Sequence, residues 1–229
     1  TPPIGVRIAT IQEDGPAGIR IGDDLYAADN PSSSLCSQKG DKSAGWVQIL
    51  VLNRKNRTCK AQYNFDFSVD PKKVSDAVDA TGFEDLVIVT GGARSQPTLG
   101  KDHIDALTKV YKDLGGTLRP FLTRTDRGFG EGRWTIIGSK SVDGAAPEGS
   151  ASQNQDFFSV GSGSGVNRGS LDGYLQANSE GYFGFAPARF VPFDTDADPH
   201  EAGINKIKVG DVTYDSSEAG QPILTGNQA

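Results

Sequence analysis

The sequence predicts an α+β domain followed by a β-rich, acidic extension. Three observations carry that expectation. Trp46-Val-Gln-Ile-Leu-Val-Leu52 is an almost unbroken apolar run rich in β-branched residues, and after a polar turn the chain alternates apolar and polar from Thr58 to Phe67, the pattern of a core hairpin. Two later stretches place apolar residues three and four apart between recognisable helix start and stop signals. Residues 155–229 then hold nine of the 19 aromatics, whereas disordered acidic tails are poor in them.

In chain order, Ile19-Arg-Ile-Gly-Asp-Asp-Leu-Tyr26 reads as a strand interrupted by a Gly-Asp turn, and a Ser-rich loop with Pro31 leads to Cys36. The strand 46–52 and its return are joined by Asn53-Arg-Lys-Asn-Arg57, and the alternation puts Cys59, Ala61, Tyr63, Phe65 and Phe67 on one face. Asp70-Pro71 opens a helix, since Asp can accept from the free first-turn amides and Pro suits the first helical position. Val74, Ala77, Val78 and Thr81 share a face, and Gly82 ends it. Leu86-Val-Ile-Val89 is a short buried strand stopped by Thr90-Gly91-Gly92. A second helix spans about Lys101 to Leu114 with Ile104, Leu107, Tyr111 and Leu114 in phase, closed by Gly115-Gly116. Residues 117–123 and 134–138 are further strands around a charged, glycine-rich loop, 124–133. The expected organisation is a domain over residues 1–150, a Gly/Ser-rich connector over 151–170, and an aromatic, acidic β extension over 171–229 in which 171–193 packs as a small β element.

The net charge of −6 resides in the last third. Ten acids face four bases after residue 155, and the two signs are equal in number before it. There is no basic stripe of the kind a phosphate backbone requires, which excludes nucleic acid as the expected partner. No apolar run approaches the ~20 residues of a membrane span. The first residues, TPPIGVRI, lack a signal-peptide pattern and a Met, and read as the start of a mature or excised product. Two Cys, two His and no Cys-x-x-Cys argue against structural zinc. A Cys36–Cys59 disulfide is the simplest use of the two thiols; closing 22 residues, it stabilises by roughly 3 kcal/mol in the chain-entropy model and implies an oxidising compartment.

Catalytic signatures are missing: no Gly-x-Ser-x-Gly, Walker loop or dinucleotide fingerprint occurs. His103 reads as a solvated helix residue and His200 lies in an acidic loop, so no serine triad is indicated and the expectation is a protein that is not an enzyme. Asp194-Thr-Asp-Ala-Asp-Pro-His-Glu201 places carboxylates of Asp194, Asp196 and Asp198 at alternate positions, as at the start of a Ca²⁺ loop. Pro199 stands where the turn Gly belongs and Asn205 where the bidentate Glu belongs. The favoured reading is an acidic connector without a cofactor; Ca²⁺ on these three aspartates, with or without a metal-assisted hydrolase or lyase activity, is the alternative. In the loop 124–133, Arg124, Arg127 and Arg133 alternate with acids beside Phe129 and Trp134, a mixture found in sugar and peptide sites and equally in a solvated hairpin tip around a core Trp. Asn56-Arg-Thr58 fits the N-glycosylation pattern.

One segment repeats. Ile207-Lys-Val-Gly-Asp-Val-Thr-Tyr214 matches Ile19–Tyr26 with four identities and two conservative changes at an offset of 188 residues. Two similar strands account for it; so does the beginning of a second copy of the module, or a strand that completes the sheet of another molecule.

Taken in serial order, Ile19–Tyr26, the hairpin 46–67 ending Asn-Phe-Asp-Phe, the helix 71–82, Leu86–Val89, the helix 101–114 ending Asp113-Leu-Gly-Gly116, and Trp134-Thr-Ile-Ile-Gly-Ser-Lys140 resemble the interleukin-like EMT inducer (ILEI), or GG-domain, family over about residues 1–150. The last two segments are the most specific. The resemblance implies a compact β-β-α domain, two antiparallel sheets flanked by short helices, in secreted or lumenal proteins, without catalysis by the domain. It includes cytokine-like factors and domains from a cell-surface hyaluronidase and from a glycosyltransferase stem that binds glycan. In the stem domain, glycan contact uses an acidic motif after the central strand and an Arg just before the Trp. Here Thr90-Gly-Gly-Ala-Arg94 replaces the acidic motif, Glu131 takes the Arg position with Arg133 two residues on, and Trp134 is retained.

The leading expectation is therefore a non-catalytic extracellular or cell-surface binding and adhesion module of a tandem-repeat protein. Its ligand is a glycan or a protein, and Arg94, Arg124, Arg133 and Trp134 are its contacts. The alternatives are a structural subunit of a head-to-tail array or filament that self-associates through its C-terminal strand, and a secreted cytokine-like factor.

Overall fold

A computed structural model describes residues 3–9, 18–27, 36, 38–40, 47–65, 70–92, 101–116, 132–147, 150–158, 169–192, 206–209 and 212–215. Its elements are β1 (Ile4–Ala9), β2 (Gly18–Ile21), β3 (Asp24–Ala27), β4 (Gln38–Gly40), β5 (Val47–Asn53), β6 (Cys59–Phe65), α1 (Pro71–Asp79), β7 (Asp85–Gly92), α2 (Lys101–Asp113), β8 (Gly132–Gly138), β9 (Ser152–Phe158), β10 (Gly169–Ala177), β11 (Phe183–Pro192), β12 (Lys206–Val209) and β13 (Val212–Asp215). They form an eight-stranded sheet, in the order β13-β12-β9-β8-β7-β5-β6-β4, and a five-stranded sheet, β11-β10-β1-β2-β3. The α+β class and the two-sheet plan with short helices agree with expectation.

The eight-stranded sheet is the middle layer, and strand alternation explains why its central strands are mostly apolar on both faces. On β5, Val47, Ile49 and Val51 join Val87 and Val89 of β7 and Ile136 of β8 in a core with both helices. The intervening Leu50, Leu52, Leu86, Ile88 and Ile137 pack with Val6, Ile8, Ile19, Ile21 and Tyr26 of the other sheet. A strand buried on both faces has no position for polar alternation. Each fully buried aliphatic side chain contributes roughly 1.5–3 kcal/mol of transfer free energy.

α1 buries Pro71, Val74, Ser75, Ala77 and Val78, one face at helical spacing. Asp70 occupies the position before the helix but makes no side-chain cap, so the expected Asp cap is not used; Pro71 alone marks the start. α2 buries Ala106, Leu107, Val110, Tyr111 and Leu114 against the sheet. Its end is a paired glycine stop: Gly115 has φ 79°, Gly116 N donates to Tyr111 O at 2.7 Å and Gly115 N to Lys112 O at 3.4 Å. That is the left-handed closure only glycine adopts without strain. The helices are tied by Lys109, which bridges Asp79 at 2.8 Å and Asp113 at 2.9 Å.

Three expectations need correction. Cys59 does not share a face with Ala61: the register slips so that Val51 opposes Ala61 while Leu52 opposes Cys59. Lys60 is the extra residue, a β-bulge, and Cys59 turns to the core between the sheets. The sheets are not wholly antiparallel, because β4 runs parallel to β6. The Cys36–Cys59 disulfide, with Cα atoms 5.5 Å apart, supplies the reason: the β4–β6 pairing starts at Gln38 and Gln62, two and three residues past the joined cysteines, so both segments leave the bridge in one direction. The segment 151–170 is also not connector throughout, since 152–158 is β9, paired to β8. The hairpin β10–β11 pairs with β1, so 169–192 is β structure and belongs to the five-stranded sheet. The strand expected at 117–123 lies outside the described residues.

Candidate binding site

The sequence-derived contacts divide in two. Arg133 and Trp134 open β8, where the register sets Arg133 opposite Gly92 and Trp134 opposite Gly91 of β7. The glycine pair that stops the apolar run of β7 therefore has a specific position: it presents no side chains beside an Arg-Trp pair. One residue further in, Thr90 opposes Thr135, and the buried Thr135 hydroxyl lies 3.1 Å from the Thr90 hydroxyl. Arg133 also opposes Phe157 of β9, and the pairing of β8 with β9 is irregular between Arg133 and Thr135. Irregularities of this kind re-aim side chains next to sites. Arg94 follows Gly92 by two positions, but both it and Arg124 lie outside the described residues, as do Asp194, Asp196 and Asp198. Among the described residues no group of three or more His, Cys, Asp or Glu is placed to hold a metal.

A second polar cluster forms where the sequence shows only a polar turn. The β5–β6 turn, residues 54–58, meets the β10–β11 turn of the other sheet. The Arg54 guanidinium lies 5.0 Å from the Phe83 ring centre and 5.2 Å from that of Tyr182. Those two rings meet edge to face at 4.9 Å. Arg54 Nε donates to Phe183 O at 3.0 Å and Nη1 to Phe83 O at 3.1 Å, while Phe183 N donates back to Arg54 O at 2.8 Å. Burial lowers the Arg54 pKa from its ordinary value, and Tyr182 opposes that shift. Lys55 Nζ sits 3.7 Å from the Tyr182 ring centre and donates to Glu180 O at 2.8 Å. Arg57, with φ 63°, covers the Phe183 ring at 4.7 Å. Cations over aromatic faces contribute ~0.5–2 kcal/mol each. Arg54 commits its donors to main-chain carbonyls, so this cluster latches the two sheets together. The sequence signal was present but divided: three cations in 54–57, and two adjacent aromatics 125 residues later.

Asn56 and Thr58 are exposed in the same turn, and Asn56 Oδ1 accepts from Thr58 N at 3.0 Å and Thr58 Oγ1 at 2.7 Å. No helix among the described residues is long and apolar enough to cross a membrane. The disulfide accords with an oxidising compartment. Comparison with protein-family models and with curated proteins finds no match for this chain.

Proposed function

We propose that the chain is a non-catalytic extracellular module that binds a glycan or an extended protein segment at the Gly92 end of β7 and the start of β8. The observation that supports this reading is the register that sets Arg133 and Trp134 opposite Gly92 and Gly91. An indole gives an apolar face for a sugar ring or a side chain, and a guanidinium supplies up to five donors to hydroxyls or carboxylates. The glycines leave the neighbouring strand free of competing side chains. Arg94, two residues past Gly92, and Arg124, in the segment that feeds β8, complete the contact set. The β-β-α layering is the architecture that the ILEI-family resemblance implied, and the disulfide suits an extracellular setting. The two segments on which that resemblance rests most, 113–116 and 134–140, also meet: a Cβ on Gly138 would lie 2.2 Å from Leu114 O.

The test is a glycan and peptide array probed with the wild-type chain and with Trp134→Ala. Wild type is expected to bind a restricted set of ligands, and the variant to lose affinity by about tenfold or more, as expected for a stacking aromatic anchor of ~1.4–3 kcal/mol. Equal binding by both proteins moves the site elsewhere. A blank glycan array for both removes the glycan version.

A further inference from the structure

Asn56-Arg57-Thr58 is the one complete N-glycosylation acceptor in the sequence: a Thr stands two residues after the Asn and no Pro lies between. Asn30-Pro31-Ser32, the other Asn followed two residues on by a hydroxyl, is barred by its proline. The acceptor lies at the tip of the β5–β6 hairpin, which closes on itself through Asn53 N to Thr58 O and Arg57 N to Asn53 O, both 2.8 Å.

The turn sorts its side chains by destination. Arg54, Lys55 and Arg57 reach the rings of Phe83, Tyr182 and Phe183, whereas Asn56 and Thr58 are exposed. The Asn56 carboxamide is held by its oxygen alone, which accepts from Thr58 N at 3.0 Å and Thr58 Oγ1 at 2.7 Å. Nδ2, the atom that carries an N-linked sugar, donates to no described residue. A sugar on it therefore breaks no hydrogen bond of the turn and leaves the latch between the sheets untouched. The tip is also far from the ligand site. Val47 opposes Gly91 and Asn53 opposes Asp85, so six steps of β5 at ~3.4 Å each put about 20 Å between them.

We propose that Asn56 carries an N-linked oligosaccharide in the mature protein. The proposal rests on the extracellular reading above, because transfer takes place in the secretory compartment in which a Cys36–Cys59 bridge forms. A membrane glycosyltransferase joins Asn56 Nδ2 to the anomeric carbon of an oligosaccharide held on a lipid diphosphate. The N–C bond forms as the bond from that carbon to the diphosphate oxygen breaks. The diphosphate leaves with the electron pair, and the amide gives one proton to a base of the transferase. The attached glycan, bulky and solvated, covers the end of the molecule at which the two sheets are latched. It leaves the Gly91–Gly92 end open, so glycan and ligand do not compete.

The full chain is expressed through a eukaryotic secretory pathway, and peptide mapping reads Asn56 and the disulfide in the same sample. Wild type is expected to carry an oligosaccharide that peptide:N-glycosidase removes, leaving an aspartate at that position. Asn56→Gln and Thr58→Ala should lose the modification completely, and Thr58→Ser, which keeps the hydroxyl, should retain it. Because transfer acts on the emerging chain, a variant that folds poorly still reports on the acceptor. Bridged wild type with a bare Asn56 overturns the proposal and leaves the extracellular reading standing. A chain with neither bridge nor glycan counts against both. Glycan without the bridge supports the proposal and speaks against the disulfide. A glycan that survives Thr58→Ala overturns the proposal, since it then does not depend on the acceptor motif.

Discussion

At the scale of single residues, glycine decides where the helices meet the sheet. Gly115 and Gly138 lie 23 positions apart, and both are closely surrounded near the end of α2. A Cβ on Gly138 would meet Leu114 O at 2.2 Å and Ala151 Cβ at 3.1 Å; one on Gly115 would meet Ser150 Oγ at 2.1 Å. Leu114 O is main chain and cannot swing aside. Gly138→Ala is therefore expected to lower stability by about 1–3 kcal/mol, the usual cost of overpacking, read as a fall in urea midpoint at unchanged slope. Gly82→Ala, with open space around the position, is the control and should remain within ~1 kcal/mol of wild type. Equal losses for both would place the cost in backbone conformation and not in the contact with α2.

Elements show what the sequence discloses and what it withholds. The hairpin β5–β6, α1, β7, α2 and the Gly-Asp hairpin β2–β3 were legible because each carries its own period and its own stop signal: Pro71 for α1, Gly115-Gly116 for α2. The bulge at Lys60 was not, since one inserted residue leaves the alternation intact on either side and inverts only Cys59. β9 was hidden for a different reason. Ser-Gln-Asn-Gln-Asp has neither apolar alternation nor β-branched residues, and becomes a strand because β8 offers it an open edge. Half of the candidate site, Arg133 and Trp134, was found as a charged and aromatic loop; the glycine pair facing it was read only as a strand stop, because register is a tertiary property. The latch between the β5–β6 and β10–β11 turns depends likewise on contacts 125 to 129 residues apart. Arg54→Ala removes both its main-chain bonds and its ring contacts, and should cost about 1–3 kcal/mol. Amide exchange at Phe183 and Tyr182 should accelerate more than at Ile88. Uniform acceleration would show that the latch contributes only to global stability and does not hold the hairpin locally.

At the scale of the molecule, one sheet serves two cores, and each core contains a buried phenol. Tyr111 lies on the helix side, where burial pushes its pKa well above the usual tyrosine value. Tyr26 lies between the sheets, raised first by burial and then by Asp24. A phenol whose folded pKa is raised contributes fully below the unfolded value near 10. That stability is lost as pH rises through the folded value, because the unfolded chain ionises first. Stability should thus fall above pH ~10, by up to about 1.4 kcal/mol per pH unit for each phenol that differs by a whole proton. Tyr111→Phe tests this directly. At pH 7 the variant is expected to stay within about 1.5 kcal/mol of wild type; between pH 10 and 11.5 it should gain stability relative to wild type, since the variant no longer releases that proton on unfolding. Lysines titrate in the same range, Lys109 among those raised by its bonds to Asp79 and Asp113, but they are common to both proteins and cancel in the difference. Because the middle sheet carries both cores, Tyr26→Phe should flatten the same single transition. Two separate alkaline transitions, each removed by one substitution, would mean that the helix layer and the five-stranded sheet unfold independently.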